Sequence, residues 1–431
     1  MISLHKEGIV NYLLLYLYFM LTENQLLSQN FIDLENQYGA HNYHPLPVVL
    51  AKGEGVYVWD VEGKKYFDFL SAYSAINQGH CHPKIINSLI NQAQKLTLTS
   101  RAFHNNMLGK YEHYVTNYFG FDKVLPMNTG AEAVETAIKI TRKWAYEKKG
   151  INENDAQIIV CENNFHGRTT TIISFSSDPT ATINFGPYTP GFIKIPYNDI
   201  DALERVLLSQ KNIAGFLVEP IQGEAGVFVP FDGYLTKAKA LCNKHNVLFI
   251  ADEVQTGIAR TGKLLAVDHE NVKPDILILG KALSGGVYPV SAVLANNEIM
   301  DVIKPGQHGS TFGGNPIAAA VAIAALEVVK DEKLAENAEY LGKLFRSEME
   351  KLIKKTDLIT LVRGKGLLNA IVINDTDKSN TAWKICIKLK DNGLLAKPTH
   401  GNIIRFAPPL VMNEEQLLDC VSIINKTILE F

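Results

Sequence analysis

A lysine directly follows an apolar run in the stretch from Asp275 to Gly286, DILILGKALSGG. Ligands of open α/β sheets bind at the carboxyl ends of the strands, where Lys281 would stand. A lysine partly withdrawn from water there has a lowered pKa, so its amine can attack a carbonyl carbon. This context favours a Schiff-base lysine over an ordinary surface lysine. A phosphate loop of the form GxxxxGK[ST] does not fit, because Asp275 replaces its first glycine and Ala282 follows the lysine.

A second apolar run, residues 247–251, ends in Asp252 within the stretch VLFIADEVQTG. A carboxylate that faces a pyridine nitrogen keeps that nitrogen protonated, so the ring can accept the electrons of a carbanion. A helix N-cap is the structural alternative, because aspartate suits that position equally well. Asp252 alone does not decide between the two interpretations. Together with Lys281 at another strand end, it favours the electron-sink chemistry.

A glycine turn at residues 127–132, MNTGAE, leads from a predicted strand through Gly130 into a predicted helix. The free N–H groups and the positive dipole end of a helix N-terminus form a cradle for an anion such as phosphate. An ordinary Asn/Thr-capped helix is the alternative. A second polar, glycine-rich loop at 308–314, HGSTFGG, contains Thr311 and could also contact a phosphate.

The stretch at residues 164–168, NFHGR, combines an aromatic residue with an arginine. Phe165 could cover the flat face of a cofactor ring. Arg168 could hold a carboxylate through two parallel hydrogen bonds. The pair would therefore serve a flat cofactor and an acidic substrate.

The pattern of the elements predicts a mostly parallel sheet covered by helices. Residues 53–70 alternate between apolar and polar around glycines, which predicts a hairpin or small meander. Short apolar runs then lose this alternation, as strands buried on both faces do. These runs are KVLPMN, AQIIVCE, TIISFS, IAGFLVEP, VLFIADE, DILILG and PVSAVLAN. Predicted helices cover 83–99, 105–119, 130–147, 199–210, 234–245, 316–329 and 332–354, and a mixed α/β tail follows.

Composition excludes several classes of partner. The chain has 431 residues, enough for more than one core, and 46% of them are hydrophobic. Its net charge of −3 provides no basic excess that would attract nucleic acid or an anionic membrane. The five cysteines are widely spaced and form no CxxC, which argues against disulfides and zinc. Cys161 is predicted to be a buried inert thiol, and GHCHP at residues 79–83 a structural loop, so we predict no metal site.

The N-terminus carries an apolar stretch from Ile9 to Leu21. It is shorter than the ~20 residues that cross a bilayer. No small-residue cleavage site follows it, and it lacks the arginines of a mitochondrial transit peptide. Residues 1–19 are therefore treated as a doubtful leader, with translation from Met20 as an alternative. The predicted location is cytoplasmic, with mitochondrial as the alternative.

These motifs, in this order from about Gly39 to the C-terminus, resemble the class III aminotransferases, which belong to fold type I of the pyridoxal-phosphate enzymes. The resemblance implies an α/β fold with a mostly parallel central sheet, and pyridoxal 5'-phosphate as the cofactor. Lys281 would bind the cofactor covalently and move the proton between the substrate carbon and the cofactor. Asp252 would pair with the pyridine nitrogen, and Gln255 would contact the ring hydroxyl.

The same resemblance implies the other cofactor contacts. Phe165 would stack on the ring, and Gly130 and Ala131 would bind the phosphate through their backbone. Thr311 would reach the phosphate of a second subunit, so that a homodimer shares its active sites. His166 departs from some members of the family, in which a bulky aromatic residue precedes the Gly-Arg pair. The resemblance therefore does not predict the shape of the pocket beside His166.

Four stretches are similar to the family members that act on ornithine: YGAHNYHPLPVVL, DFLSAYSAINQGHCHP, VEPIQGEAGV and IIRFAPPL. By this resemblance Tyr43 would contact the substrate α-amino group, and Arg168 would hold its α-carboxylate. Tyr73 would shape the pocket against GABA-type substrates. Glu224 would pair with Arg405 while ornithine is bound, then release it to hold the carboxylate of glutamate or 2-oxoglutarate.

The reaction implied is transfer of the δ-amino group of L-ornithine to 2-oxoglutarate, giving glutamate and glutamate-5-semialdehyde, which cyclises to pyrroline-5-carboxylate. An acetylornithine or GABA aminotransferase is the first alternative. A lyase or mutase on the same scaffold and a catalytically inactive binding protein are the others. The resemblance also implies an N-terminal segment at 20–75, a large cofactor-binding domain at 76–329 and a small domain at 330–431. The small domain would pack with the N-terminal segment.

Overall fold

A computed structural model describes residues 28–431, so the predicted leader and the apolar stretch from Ile9 to Leu21 lie outside it. The helices are α1 (Ser28–Tyr38), α2 (Pro83–Ala93), α3 (Leu108–Phe119), α4 (Gly130–Trp144), α5 (Thr170–Ile173), α6 (Pro179–Thr182), α7 (Ile200–Ser209), α8 (Tyr234–Lys244), α9 (Asn297–Met300), α10 (Pro316–Asp331), α11 (Leu334–Ile353), α12 (Thr381–Asp391) and α13 (Glu414–Leu429). The strands are β1 (Leu50–Glu54), β2 (Tyr57–Asp60), β3 (Lys65–Asp68), β4 (Lys123–Met127), β5 (Gln157–Cys161), β6 (Phe192–Ile195), β7 (Ile213–Val218), β8 (Leu248–Asp252), β9 (Ile276–Leu279), β10 (Ser291–Ala295), β11 (Ile359–Lys365), β12 (Leu368–Ile373), β13 (Leu394–Leu395), β14 (Lys397–Pro398) and β15 (Ile403–Phe406).

The central sheet has seven strands in the order β4-β10-β9-β8-β7-β5-β6. All of them run in one direction except β10, which is antiparallel to both of its neighbours. Every residue of β7, β8, β9 and β10 is buried. Helices on both faces explain this burial and the loss of alternation in the sequence. The predicted α/β class with a mostly parallel sheet is confirmed.

Two smaller sheets flank the central one. The predicted N-terminal meander forms β1, β2 and β3, and β13 from the C-terminal part of the chain joins β3 in parallel. The second small sheet has the order β11-β12-β15-β14. The N- and C-terminal parts of the chain therefore share one sheet. The domain boundaries proposed at residues 75/76 and 329/330 stay predictions.

Two local predictions were wrong. The run TIISFS was predicted to be a strand, but Thr170–Ile173 forms the short helix α5, which the Thr169 side chain caps by accepting from the N–H of Ile172. Edge strand β6 was missed, because FIKI is only four residues long and carries a lysine. No helix within residues 28–431 is long and apolar enough to cross a membrane.

Arg260 is completely buried and connects distant parts of the chain. Its Nε and Nη2 donate to Oδ1 of Asn77 at 3.1 and 2.5 Å. Its Nη1 donates to the carbonyls of Leu367 and Pro408 at 3.0 and 2.6 Å. Burial lowers the pKa of Arg260 to about 9, although the charge of Asp68 acts in the opposite direction. The guanidinium therefore satisfies three buried oxygens at the cost of its own desolvation.

We expect Arg260→Leu to lower the free energy of unfolding by about 3 kcal/mol, because it leaves three buried oxygens without a donor. Arg205→Leu, on the exposed face of α7, is the matched control and should change stability little. Chemical denaturation of both variants measures the difference. Equal stability of the two variants would contradict a structural role for Arg260.

Candidate active site

The carboxyl ends of the parallel strands meet at one edge of the central sheet and form a cavity of about 200 Å³. Asp252 is the last residue of β8, and Lys281 follows β9 after one glycine. Parallel strands place their carboxyl ends on the same edge, which is why residues far apart in sequence meet here. Six of the seven predicted cofactor residues line this cavity: Gly130, Ala131, Phe165, Asp252, Gln255 and Lys281.

Lys281 stands at the start of a 3₁₀ turn and has a positive φ of 44°. Such a backbone conformation is costly for a lysine, and residues held in it cluster at functional sites. Burial lowers the pKa of Lys281, and the charge of Arg405 adds to this, while Glu224 and Asp252 act to raise it. A lowered pKa increases the share of neutral amine, which is the nucleophilic form.

Asp252 is 5% exposed and is held through both carboxylate oxygens. Oδ1 accepts from the N–H of Val254 at 3.1 Å, and Oδ2 lies 2.6 Å from Nδ1 of His166. The contact with His166 was missed by the sequence analysis, which assigned this residue only to the shape of the pocket. The one signal in the sequence was that His166 follows the buried strand β5 as Asp252 ends β8, and this signal does not show that the two side chains meet.

Glu219 is a second residue that the sequence analysis missed. It follows β7, is 6% exposed and lines the same cavity. Its Oε1 accepts from the N–H of Phe165 at 2.8 Å, which fixes the loop that carries the aromatic ring. Burial raises the pKa of Glu219 to about 7, although the positive charge of His166 acts to lower it. The sequence signal was an acid placed directly after a buried strand.

The predicted pair of Glu224 and Arg405 is formed. Nη1 of Arg405 donates to Oε1 of Glu224 at 2.7 Å, and Nε2 of Gln255 donates to the same oxygen at 3.0 Å. Burial acts to raise the pKa of Glu224, but the charge and hydrogen bond of Arg405 outweigh it and lower the pKa. A Cβ at Gly223 would lie 1.7 Å from Oε1 of Gln255, so glycine is required there for this arrangement.

Arg405 is 1% exposed and has hydrogen-bonding capacity left over. Its Nε and Nη2 are buried and have no hydrogen-bond partner within residues 28–431. Buried guanidinium N–H groups normally have acceptors, and a planar carboxylate is the acceptor that best matches their geometry. Arg405 is therefore suited to a substrate carboxylate once Glu224 moves away.

The two predicted substrate tyrosines lie beside each other at the outer side of Arg405. The guanidinium of Arg405 lies 5.3 Å from the ring centre of Tyr73, and burial raises the pKa of Tyr73, with a further contribution from Glu224. Tyr43 and Tyr73 line one apolar pocket, and Tyr43 is 75% exposed. Tyr43 is thus near Tyr73 but does not line the cavity that contains Lys281.

Arg168 lies on the outer wall of the site. Its side chain is 58% exposed, its Nη2 lies 3.9 Å from Oδ2 of Asp178, and its guanidinium carbon lies 5.6 Å from the ring centre of Phe165. Arg168, Phe165 and Glu224 line one open groove. An exposed ion pair at this distance is weak, so Arg168 is available to another carboxylate.

The residues that are predicted to contact the cofactor phosphate fall into two groups. Gly130 and Ala131 begin α4, whose first-turn N–H groups have no partner inside the helix. Thr129 caps the helix by accepting from the N–H of Glu132 at 3.2 Å. Thr311, in contrast, is exposed and does not line the cavity of its own chain. The prediction that Thr311 acts in a second subunit's site stays a prediction, as do the roles given to the other residues.

The residues of the cavity fit pyridoxal phosphate. The cavity provides the amine of Lys281 for the aldehyde and the carboxylate of Asp252 for the pyridine nitrogen. It also provides the ring of Phe165 for the flat face of the cofactor and the N-terminus of α4 for the phosphate. Two residues that line the cavity each carry a buried polar atom without a partner within the described chain: Nε2 of His166 and Oε1 of Gln255. A polar ligand is therefore compatible with the lining.

Comparison with known proteins agrees with this geometry. The family model for class-III aminotransferases matches residues 38–428. A mitochondrial ornithine aminotransferase of Rattus norvegicus is 62% identical over 404 residues, which cover 94% of this chain and 91% of the relative. The similarity extends over nearly the whole length of both proteins.

Two solved structures share this fold. One, described as acetylornithine aminotransferase from Elizabethkingia anophelis, is 72% identical with a TM-score of 0.87 and covers 94% of this chain and 99% of the other. The ornithine aminotransferase of Toxoplasma gondii, with partial occupancy of pyridoxal phosphate at its active site, is 52% identical with a TM-score of 0.92 and covers 94% of each chain. The chain therefore belongs to the class-III aminotransferases and is a pyridoxal-phosphate-dependent enzyme.

Proposed function

We propose that this enzyme transfers the δ-amino group of L-ornithine to 2-oxoglutarate. The products are glutamate and glutamate-5-semialdehyde, which cyclises to pyrroline-5-carboxylate. Extensive similarity to ornithine aminotransferases supports this proposal. The observation that carries it is the contact of Glu224 with both Arg405 and Gln255 beside Lys281.

This contact solves a problem set by two unlike substrates. Ornithine presents an uncharged carbon chain next to its δ-amine, whereas glutamate and 2-oxoglutarate carry a carboxylate next to the reacting carbon. An unpaired arginine at that point would attract the carboxylate of ornithine and place the wrong amine at the reacting position. Glu224 neutralises Arg405 for ornithine, and its release provides Arg405 for the dicarboxylic substrate.

The chain's residues prepare the proton transfer. Bound pyridoxal phosphate supplies an aldehyde that combines with amines and a ring that delocalises the charge left when a proton is removed. Lys281, whose pKa is lowered by burial, takes the proton from the substrate carbon and returns it to the neighbouring position. Asp252 would maintain the proton on the ring nitrogen, and Gln255 would contact the ring hydroxyl.

The end of ornithine remote from the δ-amine carries an α-carboxylate and an α-ammonium group, and each of them requires a binding partner. Arg168 is the proposed partner of the α-carboxylate, because its weak contact with Asp178 leaves the guanidinium available. Tyr43 is the proposed contact of the α-ammonium group, since a hydroxyl oxygen can accept from it. Tyr73 is proposed to shape the pocket against GABA-type substrates. With both charges held there, the δ-amine points toward Lys281.

Acetylornithine is the alternative substrate. The observation that favours it is the 72% identity with a structure described as an acetylornithine aminotransferase. N-acetylornithine keeps the α-carboxylate for Arg168 but replaces the α-ammonium group by a neutral amide. The roles proposed for Lys281, Asp252 and Glu224 would be the same in either case, and those of Tyr43 and Tyr73 would change.

We also propose a homodimer, in which Thr311 of one subunit contacts the phosphate in the site of the other. Exposure of Thr311, and of Phe312 beside it at 51%, is compatible with an interface at this loop. Cytoplasmic location likewise stays a prediction. The relative from Rattus norvegicus is named mitochondrial, and fractionation of cells that produce the full chain decides between the two locations.

The substrate is tested by giving the holoenzyme and 2-oxoglutarate either ornithine, N-acetylornithine or GABA. We expect pyrroline-5-carboxylate and glutamate from ornithine, and little glutamate from the other two donors. Glutamate formed from N-acetylornithine while ornithine stays inert would overturn the substrate assignment and leave the cofactor residues unaffected.

Glu224→Ala should impair the two halves of the reaction unequally. We expect the half-reaction with ornithine to slow by roughly 10- to 100-fold, the loss typical of a hydrogen bond between charged groups. The half-reaction with glutamate should change much less, because Arg405 is then already free. Stopped-flow absorbance measures both halves, and Glu162→Ala, an exposed acid on the loop after β5, is the control. Equal slowing of both halves would argue against the masking role.

Sharing of the active site is tested with dimers that combine Lys281→Ala in one subunit and Thr311→Ala in the other. If Thr311 acts across the interface, one site carries both changes and the second site is intact. Such dimers, purified with two different tags, should recover roughly half of the wild-type activity. If Thr311 acts within its own chain, both sites are altered and no wild-type-like activity returns.

A further inference from the structure

The loop that carries Glu224 follows β7 and is closed by backbone hydrogen bonds between its ends. We call residues 222–228 the Glu224 loop. The N–H of Gln222 donates to the carbonyl of Phe228 at 3.1 Å, and the N–H of Phe228 donates to the carbonyl of Gln222 at 2.9 Å. From outside the loop, the hydroxyl of Thr399 donates to the backbone carbonyl of Glu224 at 3.4 Å. The loop is therefore a small closed unit that also contacts the C-terminal part of the chain.

The backbone of the Glu224 loop is strained at its second half. Gly226 has a φ of 116° and Val227 a φ of 57°. A positive φ is an outlier for a β-branched residue, and it persists only where the surroundings hold it. Val227 is completely buried in one apolar cluster with Leu368 of β12 and Ile403 of β15. The loop is thus anchored in the second small sheet, the sheet that carries Arg405.

Arg363 in β11 contacts the strained part of the loop on both sides of Val227. Its Nε donates to the carbonyl of Gly226 at 2.9 Å. Its guanidinium carbon lies 3.8 Å from the ring centre of Phe228, within the range of a cation–π interaction. A Cβ at Gly226 would lie 3.1 Å from Nη2 of Arg363 and 2.7 Å from Cδ1 of Ile403. The loop therefore fits closely against the second small sheet.

We propose that Arg363 is a positioning residue that keeps Glu224 on Arg405. The two residues come from different sheets, so their contact of 2.7 Å requires the Glu224 loop and the second small sheet to be fixed to each other. Arg363 makes that connection, because it lies in the same sheet as Arg405 and binds the loop directly. This inference rests on the masking role proposed for Glu224 and adds a residue that determines how firmly Arg405 is masked.

The fixed loop has a consequence for the exchange of substrates. With its backbone held, the release of Arg405 requires only a rotation of the Glu224 side chain, and the pair can form again in the same place. A loosened loop would leave Arg405 less firmly masked. Ornithine would then meet an arginine that competes for its carboxylate, whereas a dicarboxylate would bind more easily.

Two variants of Arg363 separate its contacts from its bulk. Arg363→Leu removes the donor to Gly226 and the charge, and leaves an apolar side chain to pack on Phe228. Arg363→Lys keeps a positive charge and a flexible donor, so its effects should be smaller and in the same direction. Thermal melting of each holoenzyme identifies a variant that fails to fold. Arg363→Lys keeps the proposal testable if Arg363→Leu does not fold.

Arg346→Leu is the matched control. Arg346 in α11 is half-buried like Arg363, and its Nη1 donates to the carbonyl of Gly366 at 3.0 Å and to Oδ1 of Asn369 at 2.9 Å. These acceptors belong to the second small sheet and the turn beside it, not to the Glu224 loop. General loosening of the small sheet should therefore appear in both leucine variants, and unmasking of Arg405 only in Arg363→Leu.

The first measurement is stopped-flow absorbance of the two half-reactions. We expect Arg363→Leu to slow the half-reaction with ornithine by roughly 3- to 10-fold, the loss typical of one hydrogen bond, and to leave the half-reaction with glutamate nearly unchanged. Arg346→Leu should alter both halves alike. Equal slowing of both halves in Arg363→Leu would overturn the proposal, because a merely structural role has that effect.

The second measurement is the binding of glutarate, a dicarboxylate without an amino or oxo group, to the holoenzyme. The absorbance of the bound cofactor reports it without turnover. We expect glutarate to bind roughly 3-fold more tightly to Arg363→Leu and more tightly still to Glu224→Ala. The double variant should bind it no more tightly than Glu224→Ala alone, because Arg363 acts through Glu224. An unchanged Kd in Arg363→Leu, or additive effects in the double variant, would overturn the proposal.

The two levels of the argument fail in different ways. If Glu224→Ala neither tightens glutarate binding nor slows the ornithine half selectively, the masking role itself is wrong, and the role of Arg363 is wrong with it. If Glu224→Ala behaves as expected and the Arg363 variants behave like Arg346→Leu, the masking role stands and only the role of Arg363 is wrong.

Discussion

The burial of charged side chains at one edge of the central sheet is the constraint on which the site depends. Ionised groups withdrawn from water are stable only with partners, and here those partners come from different strand ends. Asp252 at the end of β8 contacts His166 after β5, and Glu224 after β7 contacts Arg405 in β15 of the second small sheet. The central sheet therefore brings Asp252 and His166 together, whereas the partner of Glu224 comes from the second small sheet. Such a site can form only when the sheet is complete.

The two arginines proposed to bind substrate differ in burial and in the strength of their contacts. Arg405 is 1% exposed and bound at 2.7 Å by Glu224, whereas the side chain of Arg168 is 58% exposed and 3.9 Å from Asp178. A buried charge needs a resident partner, and exchange of that partner for a substrate carboxylate discriminates strongly. An exposed arginine needs no such partner, because water screens it. In the proposed reaction, Arg168 would therefore bind either substrate, while Arg405 would distinguish between them.

Much of this arrangement could be predicted from the sequence, and the failures have physical reasons. Unbroken apolar runs indicate buried strands, so β7, β8 and β9 were predicted, together with Asp252 and Lys281 at the ends of β8 and β9. Glu219, directly after β7, was missed. The run TIISFS failed because a capping Thr169 outweighed the β propensity of its isoleucines. The link of His166 to Asp252 depends on strand order, which periodicity does not report. A role for Thr311 in the site of a second subunit cannot be seen in the structure of a single chain.

The loop GHCHP at residues 79–83, which was predicted to be structural, helps to hold the turn that carries Tyr73. Ser71–Ser74, which carries Tyr73, consists of four non-glycine residues with positive φ, a conformation that costs free energy at each position. Asp68 holds this turn by accepting from the N–H groups of Leu70 and Ser71, and Nε2 of His80, from GHCHP, lies 2.8 Å from the other oxygen of Asp68. A histidine outside the cavity thus supports the strained turn that sets Tyr73 against Arg405. The position of Tyr73 beside Arg405 therefore depends on Asp68 and His80, which hold the turn in this conformation.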